Sequence, residues 1–216
     1  MLEKGAHRCG WGRGINWCGT AIKETVIVSL DGQKIVPAAN TMKNFERLLN
    51  LPFHQIIILD SHLSLISTMV RMGKQANKHL FIHADLIQGL KNDSAAAEFV
   101  CQQIRPYGII STRSTMLEMG KKRGLITVQR MFLLDSRSME TGYRLFEHVK
   151  PDMVELLPGI IPDLIREVIE KIRVPVIAGG LIRTVQEAKN ALKSGAAAVS
   201  TSKTELWNTL EINKVQ

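Results

Sequence analysis

The sequence predicts a compact TIM-type (β/α)8 barrel, and three observations carry that expectation. Short, strand-like apolar runs recur at 34–38, 55–60, 79–84, 107–111, 125–130, 152–157, 174–178 and 196–200. Segments with helical spacing of apolar residues separate them. Runs that are apolar throughout, rather than alternating, belong to parallel strands covered on both faces. Eight such units close most naturally into a barrel, with a doubly wound open sheet as the competing topology. The span from residue 34 to the end is short for eight units, so several helices must be brief.

The elements follow in order. KIVPA (34–38) gives the first strand, with Asn40 or Thr41 opening a helix that buries Phe45, Leu48 and Leu49. QIIILD and HLFIHA give the second and third. Asp93 starts the next helix, carrying Phe99, Val100 and Ile104. YGIIS leads through Ser114 to Leu117 and Met119, ending in the Lys121–Lys122–Arg123 cluster. LITVQR is followed by Ser136 as helix entry, and Gln129 should point opposite to Arg130. After DMVELL, Pro158–Gly159 makes a turn and Pro162 a first helical position, before Leu164, Ile165, Val168 and Ile169. VPVIA ends in Gly179–Gly180, then Thr184 and Glu187 have capping-box spacing. AAAVS runs into hydroxyl residues 200–202, and Ser202 with Glu205 repeats that spacing.

Hydrophobic content of 45% with 22% charged residues is globular composition. Three cysteines without Cys-x-x-Cys spacing indicate neither zinc nor a disulfide framework. No apolar run suits a membrane span and no signal-peptide core is visible, which predicts a cytoplasmic protein. Net charge is +8, of which residues 34–216 carry +7, a balance that suits an anionic partner. Residues 1–33 hold five glycines and two tryptophans in the first 19 positions but no periodicity. They read as an N-terminal extension with little packed structure, and residues 34–216 as the barrel. No methionine lies between Met1 and Met42, so a non-AUG start at Val26 or Val28 is the expectation, with a mis-called segment before it.

In a barrel, function gathers where strands end at the C-terminal face. The strand ends there offer Asn40, Asp60, Asp85, Arg113, Arg130, Glu155, Gly179–Gly180 and Thr201–Ser202. Glycines at a strand-to-helix turn let a dianion approach backbone N–H groups, and two consecutive turns of that kind form a phosphate clasp. The plainer reading is that the glycines only permit a tight turn. Asp85 can bind a ligand hydroxyl, and Gln88 can donate or accept. Alternatively Asp85 pairs with Arg113. Arg113 and Arg130 suit an anion, although either can instead hold a carboxylate. Glu155 fits a hydroxyl or an arginine better than a phosphate. Asp60 and His62 are more readily structural than an acid–base pair. No strand ends in a lysine, which excludes a Schiff-base aldolase, and no metal-ligand cluster is evident. The first strand lacks a carboxylate for isomerase chemistry. No catalytic residue is assigned; the mouth is equipped to hold a small phosphorylated polyol.

The stretches IHADLIQGLKNDSAAAEFVCQQIRPYGIISTRS, TVQRMFLLDS, VELLPGIIP, VPVIAGGLIRT and TSKTELW closely resemble the glycerol uptake operon antiterminator regulatory proteins of Gram-positive bacteria. The resemblance covers about residues 33–207. It implies a regulator rather than an enzyme: with glycerol 3-phosphate as effector and no cofactor, it acts on leader mRNA of a glycerol-utilisation operon. Carried over by position, its ligand residues are Asp85, Gln88, Arg113, Arg130, Glu155, Gly179, Gly180, Arg183, Thr201 and Ser202. An arginine is expected where this chain has Asn40. The reading is compatible with a homo-oligomer, and basic groups on two helices (Arg71, Lys74 and Lys78; Lys121–Arg123) are candidates for RNA contact. A phosphotriose or phosphoglycerol enzyme on the same scaffold is the alternative.

Overall fold

The computed structural model describes residue 30 and residues 32–207. Eight parallel strands close into a barrel: β1 (Ile35–Ala39), β2 (Gln55–Ile58), β4 (His79–His83), β6 (Gly108–Ser111), β7 (Ile126–Phe132), β8 (Met153–Leu157), β9 (Val176–Gly179) and β10 (Ala198–Thr201). β10 pairs back onto β1 through Ile35–Val199, Val36–Ser200 and Pro37–Thr201, so the barrel has no open edge. This is the predicted TIM-type barrel; the open sheet is excluded by that closing ladder.

Strand alternation sorts the apolar runs into two cores. Val36, Ala38, Ile57, Phe81, Ile110, Val128, Met153, Ile177 and Ala198 fill the axis, with Leu30 joining the same cluster. Their neighbours, such as Ile35, Ile56, Ile58, Leu80 and Ile82, face the helices. A slip of one residue would exchange these two sets, which fixes the register.

The helices are α1 (Met42–Leu49), α2 (Leu63–Gln75), α3 (Ser94–Glu98), α4 (Ser114–Lys122), α5 (Ser136–Val149), α6 (Pro162–Ile172), α7 (Val185–Lys193) and α8 (Thr204–Trp207). As expected, Thr41 and Asp93 cap α1 and α3, Pro162 opens α6, and Thr184 with Glu187 forms the capping box of α7. Three helix starts differ by one residue. The cap of α5 is Asp135, which makes a reciprocal box with Ser138, and the N-cap position of α4 belongs to Arg113. The helix after β10 begins at Thr204, one residue later than the Ser202–Glu205 spacing requires. Two features carry no periodic signal. α3 runs on into a π-helical turn over Phe99–Ile104. A two-stranded sheet joins β3 (Ser61–His62) to β5 (Ile87–Gln88) beside the barrel mouth.

Within the expected 1–33 segment only residues 30, 32 and 33 are described. Leu30 is buried, and the Gln33 side chain donates to the carbonyls of Ile35 and Gln55 and accepts from the amides of His54 and Gln55. The expected start at Val26 or Val28 lies outside the described residues.

Candidate ligand site at the barrel mouth

Three strands build the centre of the mouth. Glu155 on β8 is 1% exposed and is register partner of Arg130 on β7. Its Oε2 accepts from Arg130 Nε at 2.8 Å, and its Oε1 accepts from Ser200 Oγ at 2.7 Å. Ser200 belongs to β10 and reaches Glu155 across β9, where its register partner is Gly179. A Cβ on Gly179 would collide with Ser200 Oγ and lie 2.9 Å from Glu155 Oε1. The first glycine of the pair therefore clears the path of a buried hydrogen bond. Gln129, on the opposite face of β7 as expected, donates to the Gly142 carbonyl of α5.

The second glycine shapes the loop. Gly180 has φ +73° and Leu181 follows at +60°, so two successive residues lie in the left-handed region. Glycine enters that region freely, whereas leucine does so at a cost. The Pro158–Gly159 turn buttresses this bend: the Gly159 N–H donates to the Gly179 carbonyl at 2.5 Å, and a Cβ there would lie 2.7 Å from the backbone of Ala178 and Gly179. The amides at the start of α7 are not all available to an anion. Glu187 Oε2 accepts from the N–H groups of Arg183 and Thr184 at 2.7 and 2.9 Å, which hold its carboxyl below the usual range. The free-amide clasp expected after β9 is thus partly occupied by the chain's own carboxylate. After β10, Thr201 Oγ1 accepts from the Lys203 amide at 3.2 Å, and Trp207 Nε1 secures the Thr201 carbonyl at 3.0 Å.

Around these groups opens a cavity of about 320 Å³. Arg130, Glu155, Gly180, Arg183, Thr201 and Ser202 line it, together with Leu181, Ser200, Lys203 and an apolar wall of Ala38, Leu59 and Leu86. Asp85 and Arg113 form a neighbouring cluster. Asp85 accepts from Ser111 Oγ at 2.7 Å and from the Thr112 amide and hydroxyl at 2.7 and 2.9 Å. Burial alone would raise its pKa, but these donors together hold it below the ordinary carboxylate value. Arg113 lies 3.7 Å from Asp85 and donates to Asn92 Oδ1. Gln88 is exposed on β5 and lies outside the cavity lining. Asn40 accepts from Asn44 Nδ2, and His62 caps α2 through Ser64, a structural role.

The residue that sequence reasoning missed is His83. It shares the inner face of β4 with Phe81 and is 2% exposed, and neither ring nitrogen meets a hydrogen-bond partner among the described residues. Burial first, then the Arg130 charge, pushes its pKa down to about 4 against the opposing pull of Glu155 and Asp85. At neutral pH it is an uncharged imidazole beside an ion pair. Nothing local flags it, because its neighbours come from strands far along the chain. Lys203 was also passed over: no strand contains it, yet it lines the cavity from the exposed loop beyond β10. Among the described residues no three His, Cys, Asp or Glu side chains are grouped to hold a metal ion, and no helix is long and apolar enough to cross a membrane.

The family described as glycerol-3-phosphate responsive antiterminator matches residues 35–207, which is the whole barrel. The chain belongs to that family. Among its solved relatives is a glycerol uptake operon antiterminator regulatory protein from Listeria monocytogenes, 40% identical, with a TM-score of 0.79 over 81% of this chain and 95% of that one. A glycerol uptake operon antiterminator-related protein from Thermotoga maritima is 30% identical, with a TM-score of 0.71 over 82% of this chain and 98% of the other. The protein YgcP of Escherichia coli K12 is 37% identical over 152 residues, 70% of this chain and 80% of its own. A structure named as an aldolase, 13% identical with a TM-score of 0.63, shares the fold alone. The family is one of regulatory antiterminators.

Proposed function

We propose that the barrel mouth binds glycerol 3-phosphate, and that occupancy biases the protein toward binding leader mRNA of a glycerol-utilisation operon in the cytoplasm. The observation that carries this reading is the family match across residues 35–207, whose description is responsiveness to that ester. The cavity supplies matching chemistry. Arg183, Lys203 and the Gly180 backbone stand on the side suited to a phosphate, since cations and close backbone approach favour a dianion. Glu155, Ser200 and Thr201 supply the polar groups suited to hydroxyls, which donate as well as accept. Glu155 and Asp85 have their oxygens filled by Arg130, Ser200, Ser111 and Thr112, so they orient neighbours rather than exchange protons with a substrate. The protein acts in this reading as a sensor, without a cofactor or turnover.

Calorimetric titration with glycerol 3-phosphate, glycerol and inorganic phosphate separates the contributions of the two sides. The phosphate ester should bind tighter than either fragment and be recovered unchanged by 31P NMR. Leader-RNA affinity at fixed salt should rise with saturating ester, and an effective coupling of about 1–3 kcal/mol corresponds to about 5–150-fold. Chemical conversion of the ester, or RNA affinity indifferent to it, would sink this reading and favour the enzyme alternative.

A further inference from the structure

At the opposite end of the barrel, where strands begin and helices end, a second cavity of about 390 Å³ opens between α2, the π-helical turn and α4. Lys74, Lys78, Arg105 and Arg123 line it, with His79 and Tyr107; the lining holds no carboxylate, and at its rim Arg123 donates to Glu98 Oε1 at 3.0 Å and to Gln102 Oε1 at 3.1 Å. We infer that this basal cleft is the RNA-binding surface, taking a single-stranded or looped segment of RNA with its phosphates on Lys74 and Arg105 and a base against the aromatic wall, in the field of Lys78 and Arg123. The inference rests on the RNA-binding reading above and adds the place where it happens.

The aromatic wall is organised. His79 and Tyr107 stack with ring centroids 3.9 Å apart and planes 6° from parallel, and Tyr107 meets the edge of Phe81 in the axial core. Basic groups around a rigid aromatic surface are what unpaired nucleotides require, because every base has a face to stack and every linkage a charge to neutralise. The sequence offers Lys74, Lys78 and Arg123 as separate basic groups, and the fold brings them together with Arg105, His79 and Tyr107.

A plainer role for the cations is to satisfy helix C-termini, where positive charge is favourable. That role accounts for Lys78, which donates to the Leu51 carbonyl, and part of Lys74, which donates to the Arg105 carbonyl. It does not account for the backbone. Arg105, Lys150 and Arg173 each follow a helix in the left-handed conformation, at φ 47°, 52° and 54°. Glycine is the usual residue there because it alone takes that conformation without cost. A cation in the last helical turn would serve the dipole without that strain. All three are basic and stand at the same end of the barrel, Arg105 in the cleft itself and Lys150 and Arg173 outside its lining.

The test uses the full chain and the leader RNA. Lys74→Ala combined with Arg105→Gly removes two cations while relaxing the strained backbone at 105, and leaves Lys78 and Arg123 in their structural contacts. The double variant should bind RNA roughly tenfold more weakly at physiological salt, with the log–log salt slope reduced by about 1.4, the value for two single-strand phosphate contacts. Glycerol 3-phosphate binding and the melting temperature should stay at wild-type values. Lys43→Ala with Lys193→Ala removes the same charge outside the cleft and should change the slope less. In the wild type, photocrosslinks from 4-thiouridine-substituted RNA should fall on peptides containing Tyr107 or residues 74–79. Unchanged affinity and slope in the double variant, with crosslinks elsewhere, overturn the assignment and leave the cleft to another anionic partner such as an acidic polypeptide. A wild-type protein that binds no leader RNA with or without the ester overturns both the cleft and the function on which it rests.

Discussion

The two ends of this barrel hold comparable sets of charged groups and use them differently. At the mouth, Arg130 and Glu155 are almost wholly buried and bonded to each other, with Ser200 completing the second carboxylate oxygen. At the base, Lys74 and Lys78 donate to helix-end carbonyls, and the exposed pair Arg123–Glu98 sits at the rim. A buried ion pair that loses one member leaves a stranded charge, whereas an exposed cation that is lost is replaced by water. The mouth is therefore a stability element as well as a candidate site, and the base is chiefly a charge distribution. Substitutions at the two ends should separate folding from binding.

The sharpest break of that contrast is Glu155→Ala. It strands Arg130 and removes the acceptor of Ser200, and should lower unfolding stability by about 3–5 kcal/mol in urea titration. A loss below about 1 kcal/mol would mean that Arg130 finds water and that the mouth is wetter than its burial implies.

His83 gives the next effect. Its pKa is about 4 in the folded protein against the ordinary 6.5. Between those values the unfolded chain takes up a proton that the native chain refuses, so stability is complete above pH 6.5 and falls as the pH drops toward 4. The loss amounts to about 3 kcal/mol across the window. Melting followed from pH 7 to pH 4 should show this slope in the wild type and a shallower one in His83→Asn. Parallel profiles would remove His83 as its source.

At the small end, Lys74→Ala should change stability by less than about 0.5 kcal/mol while weakening RNA binding. A large destabilisation there would erase the distinction between the ends, since the lysine would then be a cap before anything else.

Much of this was legible from the sequence, and the boundary of legibility has a physical cause. All eight barrel strands show as apolar runs because both their faces are buried, and Thr41, Asp93, Pro162 and Thr184 mark helix starts because capping is a local interaction. The β3–β5 pair was not legible: Ser61–His62 and Ile87–Gln88 are joined by backbone bonds that place no demand on side-chain pattern. That pairing holds Gln88 out in solvent, whereas a loop after the third strand suggested a place at the ligand. The glycine pair was legible as a special turn but not in its division of labour. Only the structure shows that residue 179 makes room for Ser200 to reach Glu155, while residue 180 supplies the positive φ. Lys74, Lys78 and Arg123 were legible as basic groups for RNA contact, whereas His83, Arg105 and the His79–Tyr107 wall escaped because their surroundings come from separate strands and loops.

One strand serves both ends. His79, Phe81 and His83 occupy alternate positions of β4, from the basal stack through the axial core to the mouth. At about 3.3 Å per residue, the two histidines stand only about 13 Å apart along the strand. That is about one and a half Debye lengths at physiological salt, and the intervening medium is hydrocarbon rather than electrolyte. A dianion about 13 Å from a single negative charge repels it by about 0.6 kcal/mol at the permittivity of water, and a ligand at the mouth and RNA at the base would stand farther apart and feel less, but still with the wrong sign. An effector that strengthens RNA binding across this distance must do so against its own electrostatics, by changing the shape of the barrel end rather than its potential.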